Sequence, residues 1–260
     1  MSVAKKEVIA EVDALEPAEV LSLVIDQGIE HVVQVGHPFS TKEAFTTQVL
    51  ENGGEVFFSN PLASIFSPKD LNIDTSQFIV FHQRFSQAIE KKEIIQKLED
   101  ILSENVKSAS LRADIITIAD EMVTNAVFNA PFVDLENSAS GASREDHTIK
   151  MDDNKSGQMW IAQDDDRVLA LCQDDYGTLN PDKMLKKIRH IYETSVAENI
   201  NMTGRGGAGI GTYMMFNTCI SFFVGVQKGK KTIVGCILPK KGSVRERSQM
   251  LKNLHFILGN

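Results

Sequence analysis

Cysteine is scarce and poorly spaced. The three present, Cys172, Cys219 and Cys236, each sit among apolar residues without a CxxC pair, which excludes a disulfide framework and a thiolate zinc site. Positive charge is in deficit: 27 Lys and Arg face 35 Asp and Glu, for a formal net charge of −8, so the basic face that announces a nucleic-acid partner is missing. The opening stretch MSVAKKEVIAEVD carries acids where a signal peptide needs its apolar segment, which points away from secretion. With solitary cysteines, a reducing cytoplasm is the expected setting. A long membrane-spanning run is also lacking. Gly209 to Val226 is free of charge, but Thr212, Asn217, Thr218, Ser221 and several glycines lie within it, so it reads as core and no membrane partner is expected.

What is present alternates helix and strand signals over 260 residues, enough for one α/β domain with a small extension. Pro17 opens an apolar-periodic run closed by Gly28, and Glu30 to Val35 reads as a strand. Ser40 with Glu43 makes a capping-box pattern ahead of a helix ending near Gly53, and Glu55 to Ser59 reads as a short strand. The pattern dissolves between Pro61 and Asp74. Residues 1–74 are therefore expected to form an N-terminal α/β extension with a regulatory or partner-binding role, and residues 75–260 the main domain. In the main domain, Phe78 to Phe81 reads as a strand, and Glu90 to Val106 and Leu111 to about Phe128 as helices, the second ended by Pro131. Leu135 to Gly157 is polar. Met159 to Gln163 and Arg167 to Cys172 suit a hairpin around Asp164, Asp165 and Asp166, and Asn180 caps a helix with Pro181 at its first position, reaching about Glu193. After a glycine-rich loop, Gly211 to Asn217 suits a helix, Ile220 to Val226 and Thr232 to Leu238 paired strands, and Val244 to Phe256 a closing helix.

Three motifs carry chemistry. Glu121 and Asn125 are four residues apart on a helix, so they share a face, with Asn129 one turn further. A carboxamide oxygen is a hard ligand for Mg²⁺ and a carboxylate can accept a proton or orient water, although a solvated polar stripe has the same spacing. The second motif is the apolar strand Leu169 to Cys172, which runs into Asp175 and Gly177. An acid fixed at a strand end can accept a hydrogen bond from an exocyclic amine such as adenine's, while glycine lets backbone approach the ring; a hairpin turn would look similar. The third is Gly204-Arg-Gly-Gly-Ala-Gly-Ile-Gly211 ahead of a helix, whose freed N–H groups make an anion cradle or a lid hinge. It lacks the Gly-Lys-Ser/Thr ending of a P-loop and is not placed as a Rossmann turn.

In order, Glu121-x3-Asn125, Asp175-x-Gly177, Gly207-x-Gly209-x-Gly211 and Thr232 on a strand resemble the nucleotide boxes of GHKL ATPases, over roughly Phe78 to Pro239. The resemblance implies the Bergerat fold, a two-layer α/β sandwich of mixed sheet and helices. It implies ATP and Mg²⁺ as cofactors, with Asn125 on the metal, Glu121 as catalytic base or water-positioning acid, and Asp175 on the adenine amine beside Gly177. Arg205, Gly206, Gly207, Ala208, Gly209, Ile210, Gly211 and Thr212 would wrap the phosphates. Arg205, inside the glycine loop, either reaches the terminal phosphate or only solubilises the lid; Asn129, where many relatives have an aromatic or histidine, would touch phosphate or metal, and Asn180 to Arg205 would form the lid. The chain departs from the pattern at Leu179, where a second glycine is usual, at Phe128, where histidine kinases carry a basic residue, and at Lys231 ahead of Thr232.

The closest style is that of anti-sigma-factor serine kinases, which implies a cytoplasmic signalling protein that phosphorylates or gates a protein partner. A nucleotide-sensing module with little turnover, and a histidine kinase catalytic subunit acting on another protein's acceptor, are the alternatives. None of His31, His37, His82, His147, His190 and His255 is followed by an acid, as an acceptor histidine would be. Pairing of two copies through the early apolar helices is left open. Two weaker patterns take simpler readings. Asp152-x-Asn154-x-Ser156-Gly157 imitates the start of a calcium loop but reads as a turn, and Lys183, Lys186, Lys187 and Arg189 form a solvated helix face or a guide for ATP.

Overall fold

The strand Arg167–Asp174 is buried along its whole length, which demands cover on both faces. A computed structural model describes residues 9–51, 54–131, 148–203 and 210–259 and shows how that cover is supplied. The strands are β1 (Ile9–Val12), β2 (His31–Gln34), β3 (Ile79–Phe85), β4 (Gly157–Gln163), β5 (Arg167–Asp174), β6 (Ser221–Gln227), β7 (Lys231–Pro239) and β8 (Asn253–Gly259). They form one open sheet in the order β1-β2-β8-β6-β7-β5-β4-β3. The run from β3 to β6 is antiparallel throughout, whereas β6 pairs with β8 and β1 with β2 in parallel. This is a mixed α/β domain.

Period-two alternation divides the side chains of β5 between two cores. Val168, Ala170 and Cys172 face one helical layer, built from α1 (Pro17–Gln27), α5 (Glu90–Asn105), α6 (Ala109–Thr124), α7 (Pro181–Glu193) and α9 (Ile210–Thr218). Leu169 and Leu171 face the opposite way, toward Phe57, Phe58, Leu62 and Ile65 from α3 (Gly54–Ser59) and α4 (Pro61–Phe66), with α2 (Ser40–Glu51) packed beside them. The sheet and its helices make an α/β sandwich at a general level, and α1, from ahead of Asp74, belongs to the first helical layer. The stretch ahead of Asp74 adds a third layer, and its strands extend the same sheet.

Several elements differ from the sequence reading: α4 lies where the pattern dissolves after Pro61, and a further helix lies between the end of α7 and the glycine run. Residues 55–59, expected as a strand, lie in α3, because a short apolar run has no period of its own and Phe57 and Phe58 are inserted into the core from a helix turn. The closing helix is cut short. Ser243 and Glu246 make a reciprocal cap for α10 (Val244–Ser248), and the chain then enters the sheet as β8 between β2 and β6. The remaining helix, α8, spans Val196–Thr203. No helix among the described residues is long and apolar enough to cross a membrane.

Glu43 is the device that fastens α2 to the sheet. Instead of serving a surface cap, its carboxylate is fully buried and accepts hydrogen bonds from Ser221 Oγ, from Asn253 Nδ2 at 2.5 Å and from His255 Nε2 at 3.1 Å. His37 stands beside it at 3.8 Å, accepting from Phe39 N at Nδ1 and donating to Ile220 O from Nε2. Burial alone would raise the acid's pKa. His37, His255 and Ser221 outweigh it and hold Glu43 at about 2.

Candidate functional site

Ser108 starts α6 by accepting the Leu111 N–H at 3.3 Å, and Leu111, Ile115, Ile118, Met122 and Val123 bury one stripe. Glu121 and Asn125 stand on the other side, half-buried. Regular α-helix ends at Thr124, whose hydroxyl bonds back to Asp120 O at 2.7 Å, and Asn125–Asn129 make a single π-helical turn, a feature common at functional sites. Through that turn the three polar side chains form a ladder. Asn129 Nδ2 donates to Asn125 Oδ1 at 2.5 Å, and Asn125 Nδ2 donates to Glu121 Oε1 at 3.2 Å.

The first turn of α9 comes to rest against this ladder. A Cβ at Gly211 would lie 1.9 Å from Glu121 Cδ and 2.2 Å from each carboxylate oxygen, so the helix approaches only because residue 211 has no side chain. At its other end α9 is held by Lys252, whose ammonium bonds the carbonyls of Asn217 and Cys219 at 2.7 Å each. Ile210, Gly211 and Thr212 open α9, while Arg205, Gly206, Gly207, Ala208 and Gly209 lie outside the described residues. Thus the end of the glycine run and Glu121, far apart in sequence, meet in space.

The end of β5 is laced to the same region. Cys172 Sγ lies 3.9 Å from Met122 O, and Thr178 Oγ1 donates to Ala130 O at 2.8 Å. Here the two adjacent acids divide. Asp175 turns to the loop before β4, accepting Ser156 N at 3.1 Å and Ser156 Oγ at 2.8 Å. Asp174 keeps the parity of Cys172, is buried, and lies directly across the ladder from Thr232. Its Oδ1 accepts the N–H groups of Tyr176 at 2.9 Å and Gly177 at 3.4 Å. Burial pushes the Asp174 carboxyl up to about 6, and the charge of Asp175 adds to this against the donors Tyr176, Gly177 and Thr232. The Thr232 hydroxyl favours the ionised acid by proximity, yet it is buried and meets no partner at full hydrogen-bond geometry among the described residues.

Gly177 is fixed by its backbone. Its φ is +62°, and a Cβ there would lie 2.0 Å from Gln227 O in the β6–β7 turn. Asp175, which has the spacing of the motif, thus faces Ser156, whereas Asp174 has the side-chain parity of Cys172. Two cavities open beside α9. One, of about 310 Å³, is lined by Glu121, Asp120, Gly211, Ile95, Ile116 and Met214 among others. The other, of about 550 Å³, lies along α7. Among the described residues no group of three or more His, Cys, Asp or Glu side chains is placed to hold a metal ion.

Comparison with protein-family models and with curated proteins finds no match. Among solved structures, a chain of the crystal structure of the SiaB-SiaC complex from Pseudomonas aeruginosa is similar at 14% sequence identity, over 63% of this chain and 92% of that one, with a TM-score of 0.41.

Proposed function

We propose that this chain is a signalling protein of the GHKL kind, which binds Mg-ATP on the α6 face and phosphorylates or gates a protein partner. The observation that carries this reading is the contact of Gly211 with Glu121, which joins the glycine run to the carboxylate–carboxamide helix as a phosphate-binding site requires. Mg-ATP supplies a γ-phosphoryl group whose charge the cation offsets. In this reading Asn125 offers an amide oxygen to the cation, a donor set of one hard protein ligand that suits Mg²⁺, which keeps water and phosphate as its other ligands. Asn129 orients that amide through the 2.5 Å hydrogen bond. Glu121 accepts the proton of the attacking hydroxyl, and the N–H groups at the start of α9 face the phosphates. Asp175 has the spacing of the adenine-reading acid, but we assign that role to Asp174, which shares the helix-facing side with Thr232. A buried carboxyl whose pKa burial raises toward neutrality, with the Thr232 hydroxyl directly across the ladder, is a place for a polar ring edge.

One observation favours a binding module with little turnover. The carboxylate of Glu121 is engaged by Asn125 and confined by Gly211, so its freedom to serve as base is limited. Titration with Mg-ATP and incubation with γ-labelled ATP plus candidate partners separate the two. Asp174→Asn and Asn125→Asp should lose binding, whereas Glu121→Ala should keep it and lose transfer. Tight binding without transfer by the unaltered protein leaves the module; no binding at all ends the nucleotide reading.

A further inference from the structure

α7 sorts its cations by face. Arg189 reaches α1, bonding Asp26 at 2.5 Å and Ser22 at 3.3 Å, and so belongs to the packing of those two helices. Lys183, Lys186 and Lys187 instead line the larger cleft together with a single acid, Asp182, and with His190, Asn199 of α8 and Ile210 of α9. Lys186 has Asp182 at 3.8 Å with both side chains more than half exposed, and Lys187 has no ion pair among the described residues. In a chain of net charge −8, this is a local reversal of sign.

The cleft adjoins the proposed nucleotide site through Ile210, at the end of the glycine run, and its other walls belong to the segment expected as the lid. None of Glu121, Asn125, Asn129, Asp174 and Thr232 lines it. Ile210 lines the lysine cleft while the next residue, Gly211, lines the cavity that holds Glu121, so the two cavities flank the first turn of α9. The three lysines follow α7 from residue 183 to residue 187, a row about 6 Å long at 1.5 Å per residue. A single phosphate group is shorter than that row. An extended peptide, which presents side chains on one side about every 6.6 Å, can set successive carboxylates against it.

We propose that the α7 cleft docks an acidic segment of a protein partner, beside the cavity that contains Glu121. The docking goes beyond the nucleotide reading and can be measured without ATP. The probe is a fluorescein-labelled oligo-glutamate peptide titrated with the full chain, followed by fluorescence anisotropy at low and raised salt. Binding should weaken with salt, and Lys186→Glu/Lys187→Glu should lower affinity about tenfold or more, since charge reversal replaces attraction by repulsion at two positions. Lys240→Glu/Lys241→Glu changes net charge equally on another surface and should leave binding within about twofold. Mg-ATP affinity and the thermal melt of each variant are read alongside, so that a misfolded protein or a failed nucleotide reading is recognised separately. The proposal is overturned if the unaltered chain does not take the peptide, or if both variant pairs lose it equally. It is likewise overturned if the α7 pair loses Mg-ATP while keeping the peptide, an outcome that would make the cleft a phosphate site.

Discussion

Replacing Gly211 by alanine sets one methyl group where the Glu121 carboxylate now lies, 1.9 Å from Cδ and 2.2 Å from both oxygens. Ordinary heavy-atom contact is about 3.5–4.0 Å, so the carboxylate must retreat by roughly 1.5–2 Å, enough to disturb its hydrogen bond with Asn125. Overpacking of this kind costs about 1–3 kcal/mol. Gly211 is not among the glycines with positive φ, so alanine suits its backbone, and helix propensity returns up to about 1 kcal/mol. The expected net loss in the unaltered protein is about 1–2 kcal/mol. With Glu121→Ala the obstacle is gone, and the same substitution should be neutral or stabilising by up to about 1 kcal/mol. A double-mutant cycle read by urea unfolding therefore carries a coupling of about 2 kcal/mol. Equal costs in both backgrounds, within about 0.5 kcal/mol, would refute the contact on which the site depends. If Glu121 is the base, Gly211→Ala should also cut turnover on the order of a hundredfold, because a displacement above about 1 Å removes the productive geometry.

Glu43→Ala leaves His37, His255, Asn253 and Ser221 around an absent carboxylate and should cost about 3–5 kcal/mol in urea unfolding; a loss under about 1 kcal/mol would mean that α2 is held by its apolar contacts alone. Acid should destabilise the protein in two stages. His31 is driven down from 6.5 to about 3 by burial and by His255, so its contribution is present above 6.5 and lost as pH falls toward 3; Glu43, held at about 2 against an ordinary 4.5, is lost lower still. Because Asp174 gains stability over the same range, the test is made on Asp174→Asn: a thermal midpoint of that variant that stays flat from pH 7 to about pH 4 would contradict the burial of His31. Asp174 behaves oppositely. Its pKa is raised from 3.8 to about 6, so the stability it contributes is present below 3.8 and lost as pH rises through about 6, a difference of about 3 kcal/mol. Asp174→Asn should thus be more stable than the unaltered protein at pH 8, by about 1–3 kcal/mol, and show little gain at pH 4, while losing Mg-ATP; a variant equally stable at both values removes Asp174 from the buried site.

Most of the helices were legible because their signals are local. Asn180 with Pro181, and the stripe from Ile94 to Leu102, need no partner to be recognised. The hairpin of β4 and β5 was legible for the same reason, its acidic turn closing on itself through Asp164 and Arg167. Residues 253–259 were not. Nothing local distinguishes Leu254, Phe256 and Ile257 from a helix stripe; the strand exists because β6 and β2 leave a slot that a hydrogen-bonding backbone must fill. Residues before Asp74 show the same limit. Their elements are small and ambiguous, and only their apolar counterparts on β5, β6 and β7 decide that α3 and α4 cover a face of the sheet.

Two buried acids show how the site can be told from its surroundings. Ser221, His37 and Glu43 have the composition of a nucleophilic triad, but Ser221 Oγ donates to Glu43, His37 Nε2 is committed to Ile220 O, and all three are closed to solvent. His37, His255 and Ser221 together lower the acid's pKa, so the carboxylate is held ionised as a clamp between α2 and the sheet. Asp174 is the reverse case. Burial outweighs its donors Tyr176, Gly177 and Thr232, and the strand that carries it is laced to the end of α6. Keeping a buried acid there costs stability above about pH 6, which fits the ligand-binding role proposed for Asp174. The contrast ties the sign of each pKa shift to a role: Glu43 to holding the third layer, Asp174 to the ring edge that the α6 face is proposed to bind.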